Sequence, residues 1–93
     1  MSAPNRRKQA SALTYAPGQT APRIVAAGQG LIAERILEIA AAAGVPIRED
    51  AALVNALQAL DLGQEIPEDL FVAVAEALAW AYRLDRAAQA ERR

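Results

Sequence analysis

Residues 24–50 read IVAAGQGLIAERILEIAAAAGVPIRED, and this stretch decides the fold class. Arg23 to Ala26 is a short apolar run of strand type. Gly28, Gln29 and Gly30 break it. Ile32, Ile36, Ile39, Ala40 and Ala43 then recur at helical spacing, which makes them the expected core face of a helix, with Glu34 and Glu38 on the other side. Gly44 is the residue that ends such a helix. Val45, Pro46 and Ile47 follow as a third short strand. Strand, helix and strand make a βαβ unit, in which the second and third strands run parallel.

Outward from this unit the pattern stays that of a small α/β domain. Upstream, residues 9–15 (QASALTY) alternate in the manner of a strand, with Ser11, Leu13 and Tyr15 on one side and Ala10, Ala12 and Thr14 on the other. A Pro17-Gly18 pair opens the turn that returns the chain at Arg23. Downstream, Asp50 is placed to cap a helix carrying Leu53, Val54, Leu57 and Leu60, and Gly63 ends that segment. Pro67 starts the last helix where its missing N–H costs nothing, and Glu68 and Asp69 suit the positive end of its dipole. Phe71, Val74, Ala75, Leu78 and Tyr82 form its apolar stripe. The expected organisation is a disordered lead-in over 1–8, an α/β domain over 9–84 with a small mixed sheet and three to four surrounding helices, and a charged tail over 85–93.

Composition narrows the function. The chain has 93 residues, no His and no Cys, so the commonest general base, the thiolate nucleophile and the usual transition-metal ligands are missing. Ser2 and Ser11 are the only serines, and nothing beside either would activate it. A net charge of −1 gives no field to draw nucleic acid or an anionic membrane. Arg6, Arg7 and Lys8 at one end and Arg92 and Arg93 at the other read as solvated termini. No apolar run approaches a membrane span or a signal-peptide core, so the expected location is the cytoplasm. Gly28-Gln29-Gly30 suggests a phosphate loop, but Ala33 stands at the last place of that fingerprint and no Walker lysine follows; a tight strand-to-helix turn is the simpler reading. The acids around Pro67 read as helix-start decoration rather than a cation site.

The segment order is specific where single motifs are not. GLIAERI (30–36), AGVPIRED (43–50) and GQEIPEDLFVAVAEALAW (63–80) appear in an order and spacing that closely resemble the cytoplasmic C-terminal domain of FlhB, the substrate-specificity switch of flagellar export, and its type III secretion relatives. The resemblance covers about residues 9–84. It implies a cytoplasmic interaction module, peripheral to the export gate, that binds gate proteins, export substrates or the hook-length regulator, without a cofactor and without nucleic acid. The family's hallmark is an Asn-Pro-Thr-His loop that cleaves itself. Counted back from SALTY, that loop falls on Asn5, Arg6, Arg7 and Lys8, and only the asparagine matches, so self-cleavage is not expected and the protein is not read as an enzyme. The family's preceding strand and membrane domain have no counterpart in this sequence, which reads as a free-standing version of the domain.

Three surfaces are the expected contact sites. One is the edge strand with Gln9, Ser11, Leu13 and Tyr15, open to a strand from an export protein or from a second copy; a proline at Ala12 is expected to block it and spare the fold. Another is the acidic turn of Gln64, Glu65, Glu68 and Asp69. The third is the end of the last helix near Trp80 and Arg83. The alternatives are a scaffold or regulatory domain outside secretion that keeps the fold, and a small nucleotide-binding protein using the Gly28–Gly30 turn.

Overall fold

A computed structural model describes residues 8–16 and 18–91. The proposed lead-in up to Arg7, including Asn5, Pro17 of the turn, and the last two arginines lie outside the described residues. Strand β1 spans Gln9–Thr14 and β2 spans Arg23–Gln29. They form a two-stranded antiparallel hairpin. Helix α1 (Leu31–Ala42) follows directly, then α2 (Ala51–Leu57), a 3-10 turn (Glu68–Leu70) and the long α3 (Phe71–Glu91). The α/β fold class expected from the sequence is the one observed.

The hairpin is sandwiched. Ala10 pairs with Gly28 and Leu13 with Ile24. Directly opposed residues share a face. Ala10 and Gly28 face α1, which seats its fully buried Ala33 there. Leu13, Ile24 and Ala27 face the other way, into a core of Leu53 and Leu57 from α2, Ile66, and Val74 from α3. The alternation expected along residues 9–15 places Ala10 and Leu13 on opposite sides, as observed, and the irregularity of the hairpin lies in β2. The register shifts between Ala12 and Leu13, leaving Val25 as the extra residue of a β-bulge. That shift lets Ile24 and Ala27 pack on the same face although three residues apart.

The third strand expected at Val45–Ile47 does not form. Residues 45–50 are an irregular connection, and Pro46 has no N–H to give a ladder. The place beside β2 is taken instead by residues 63–66. Gly63 N–H donates to the Ile24 carbonyl (2.7 Å), Ile24 N–H to the Gln64 carbonyl (3.2 Å), and Ile66 N–H to the Pro22 carbonyl (2.9 Å). The contact is antiparallel, with a single bridge between Arg23 and Glu65. The connection 45–50 is held elsewhere: the Arg48 guanidinium lies 5.9 Å from the Trp80 ring centroid and donates to the Glu76 carbonyl at 3.3 Å.

Local signals read correctly at most element ends. Gly44 has φ +74°, and Val45 and Gly44 N–H donate to the Ala40 and Ala41 carbonyls (2.9 and 3.2 Å), a Schellman end. The Asp50 side chain accepts from Leu53 N–H at 3.0 Å, capping α2. The buried face of α1 is rotated away from the one its isoleucine spacing predicts. Ile32 and Ile39 are mostly exposed, and the helix buries Ala33 with Ile36, Leu37 and Ala40 partly covered. A hairpin face built of Ala10 and Gly28 admits a helix only at close range, which selects the small Ala33 over isoleucine.

Candidate functional site

Helix α3 carries more apolar surface than the core can take. Leu70, Ala73, Val74, Ala77 and Leu78 turn toward the core cluster. Phe71, Ala75 and Tyr82 of the expected apolar stripe do not; they are exposed. Opposite them runs the connection from β1 to β2. Between the two lies an open apolar groove of about 380 Å³, walled by Tyr15, Ala21 and Pro22 on one side and Phe71, Leu78 and Tyr82 on the other. Ala75 and Ala79 also line it, and their small side chains keep it open; Val74 lies beneath, 1% exposed. Among the described residues no charged side chain lines it. The surroundings suit an aliphatic or aromatic anchor and offer little to a charged ligand.

The wall on the hairpin side is tied down by polar groups. The Gln19 amide donates to the carbonyls of Ala21 (3.3 Å) and Thr14 (3.5 Å). Glu65 accepts from the Thr20 hydroxyl at 2.9 Å and from the Arg23 guanidinium at 3.0 Å. Arg23 also donates to the Gly63 carbonyl (3.0 Å). Tyr15 is therefore presented by a braced loop.

The ten residues singled out from the sequence do not gather in one place. Tyr15 alone lines the groove. Glu65 braces its wall, and the Gln64 side chain accepts from Asp61 N–H at 2.9 Å within its own turn. Glu68 and Asp69 are exposed on the 3-10 turn that leads into α3. Trp80 is half-buried beneath Arg48, and Arg83 is exposed further along α3. Leu13 is turned into the core. Ser11 accepts from the Gln58 amide at 3.1 Å, and that amide also donates to the Ala10 carbonyl at 2.9 Å. The sequence groups Phe71, Ala75, Leu78 and Tyr82 into the apolar stripe of the last helix without showing that they line a groove. Their excess is the available signal: one helix face offers five apolar residues to a hairpin that turns Leu13, Ile24 and Ala27 toward the core.

The edge strand needs one correction. Gly30 N–H donates to the Lys8 carbonyl (2.9 Å), extending the register of the pairs Ala10–Gly28 and Ala12–Ala26. Hydrogen-bonded pairs alternate, so Ala12 points its backbone groups at β2, and Gln9 and Ser11 point theirs outward. A proline at Ala12 would break the hairpin itself; Ser11 is the position that addresses the outer edge. Among the described residues no strand pairs with that edge. The Gly28–Gly30 corner is also settled in structural terms. Gly28 and Gln29 belong to β2, Gly30 (φ +60°) precedes α1, and the Ile32 side chain fills the space in front of Gly28 where a phosphate would have to approach. Among the described residues, no helix is long and apolar enough to cross a membrane.

Comparison with known proteins bears on this geometry. A family model described as the FlhB HrpN YscU SpaS family matches residues 5–81. The chain is 45% identical over 65 residues to the uncharacterized protein YlqH of Bacillus subtilis (strain 168), covering 70% of each. It is 48% identical over 68 residues to the flagellar biosynthetic protein FlhB of Escherichia coli (strain K12), which covers 72% of this chain and 18% of that protein. Among solved structures, a mutated EscU C-terminal domain superposes with a TM-score of 0.77 at 31% identity, over 81% of this chain and 93% of that one.

Proposed function

From the premise that this chain belongs to the FlhB HrpN YscU SpaS family and has the fold of its export-switch C-terminal domains, we propose that it is a non-enzymatic docking module of flagellar or type III protein export. It binds a segment of an export substrate or of a gate component in the groove between Tyr15 and α3, on the cytoplasmic side of the gate. The observation that carries this reading is the groove itself. Tyr15, Phe71 and Tyr82 are large apolar side chains left uncovered around a floor of small ones, beside a wall that Glu65 and Gln19 hold rigid. A preformed apolar slot costs its occupant little reorganisation of the protein. The outward edge of β1, at Gln9 and Ser11, offers the same partner a second contact by strand addition.

The test uses tagged protein in native lysate, with captured proteins identified by mass spectrometry. Wild-type protein is expected to recover export-gate components or export substrates, and Ala75→Glu to lose them about 10-fold or more, the scale of burying one unpaired charge among apolar groups. Ala75 is exposed and glutamate is a good helix former, so the far-UV circular dichroism should not change. Recovery of no export protein would sink the export role and leave a scaffold outside secretion as the reading. A non-enzymatic module also makes a plain prediction about covalent integrity. The 9.9 kDa chain should keep its full mass through days of incubation at neutral pH, and Asn5→Ala should behave identically; a fragment cut after Asn5 in wild type alone would refute it.

A further inference from the structure

The outer face of α1 is largely apolar and, among the described residues, has nothing packed on it. Leu31, Ile32 and Ile39 are 72%, 62% and 55% exposed, in a helix whose other side already seats Ala33 against the hairpin. The face is asymmetric along its length. Its N-terminal end carries the bulky Leu31 and Ile32; its C-terminal half is a shallow open hollow lined by Ile39, Ala42 and Ala43 and bordered by Arg35 and Glu38. Between them stand one cation and one anion, Arg35 and Glu38, paired only loosely with each other at 3.6 Å and both well exposed.

We propose that this face pairs with the same face of a second copy, α1 against α1 and antiparallel about a two-fold axis near Leu37. Residues equidistant from that axis oppose each other. Leu31 and Ile32 of one copy then enter the hollow at Ala43 and Ala42 of the other, and the reverse occurs at the far end. Arg35 of each copy then stands one residue out of register with Glu38 of its mate, within reach of two long side chains, so the two charges are satisfied twice. A two-fold interface must be self-complementary in this way. Bulky-against-small and plus-against-minus both hold here for antiparallel pairing. Parallel pairing would instead set Ile32 against Ile32 and Arg35 against Arg35. The contact is confined to a 12-residue helix. It belongs to the small, reversible class of interface. It lies apart from the Tyr15 groove and from the β1 edge, so it goes beyond the docking reading above and leaves both free for a partner.

Sedimentation velocity over a concentration series tests it. The weight-average mass of wild-type protein should climb from 9.9 kDa toward twice that value as concentration approaches the millimolar range. Ile39→Glu should remain monomeric throughout. Arg35→Glu alone and Glu38→Arg alone should each lose association. An equimolar mixture of those two variants should regain it, because every cross-copy pair is then opposite in sign. Ser11→Pro, which addresses the β1 edge, should associate as wild type does. A monomer at all concentrations would overturn the proposal and leave the face to a different protein. Association that survives Ile39→Glu, or that Ser11→Pro abolishes, would also overturn it. Circular dichroism checks that each variant is folded.

Discussion

Replacing Ile24 with alanine is expected to cost about 3 kcal/mol, within the 2–5 kcal/mol range for such truncations in a closed core, and to lower the urea midpoint by roughly 2 M. Ile24 is 0% exposed and sits where every layer meets. Its side chain touches the cluster of Leu53, Leu57, Ile66 and Val74, drawn from α2, the 63–66 segment and α3. Its own N–H and C=O hold that segment against β2. No single one of those neighbours can move into the vacated volume without dragging a hydrogen-bonded backbone with it, so the cavity stays open. The domain is small, and about 3 kcal/mol is a large part of the ~5–15 kcal/mol that holds a typical domain folded. The adjacent Val25 is the control. It is the extra residue of the bulge and more than half exposed. Val25→Ala should change stability by no more than about 0.5 kcal/mol. Equal losses at the two positions would mean that the bulge, and with it the register of the hairpin, is misplaced.

That pair of positions also shows where the sequence could be read and where it could not. The run Arg23 to Ala26 is apolar throughout, so periodicity places a strand there without saying which side chains are core. The bulge decides that, and a bulge has no composition of its own unless a glycine marks it. Caps and stops behave differently. Asp50 and Gly44 act on backbone within a few residues of themselves, and both stand at element boundaries where their chemistry predicts; Gly63 does not end α2, which already stops at Leu57, but turns the chain into the segment beside β2. The third strand failed because Val45 and Ile47 look like strand residues while the strand-like contact to β2 is made by Gly63–Ile66, whose sequence reads as a turn and a helix start. The groove was hidden for a similar reason. Spacing groups Phe71, Val74, Ala75, Leu78 and Tyr82 on one stripe, but only the width of the hairpin opposite determines how much of that stripe is covered. Side chains that local chemistry fixes are legible; side chains whose role depends on how much surface another element brings are not.

The close fit of α1 on the hairpin leads to the second large effect. Gly28→Ala is expected to destabilise the domain by about 1–3 kcal/mol, the usual cost of forcing a methyl group into filled space. A Cβ at Gly28 would lie 2.8 Å from the Ile32 Cβ and closer still to its Cγ2. A Cγ2 clash can be relieved by a rotamer change. The Cβ contact cannot, because Cβ moves only with the backbone of α1. The helix must therefore lift from the sheet, and Ala33, now 0% exposed beside it, loses its seat. The double variant Gly28→Ala/Ile32→Gly removes both atoms in conflict. It should recover most of the loss specific to the clash, beyond the roughly 1 kcal/mol that glycine costs in a helix, and the double-mutant cycle should show a coupling of about 1 kcal/mol or more. Urea unfolding of the four proteins measures it. Additive losses would mean that Gly28 is needed for strand geometry and not for the approach of α1. With coupling, Gly28 becomes the residue that holds α1 close to the hairpin, and this close seating explains why the helix buries an alanine while Ile32, which touches Gly28, and Ile39 stay more than half exposed.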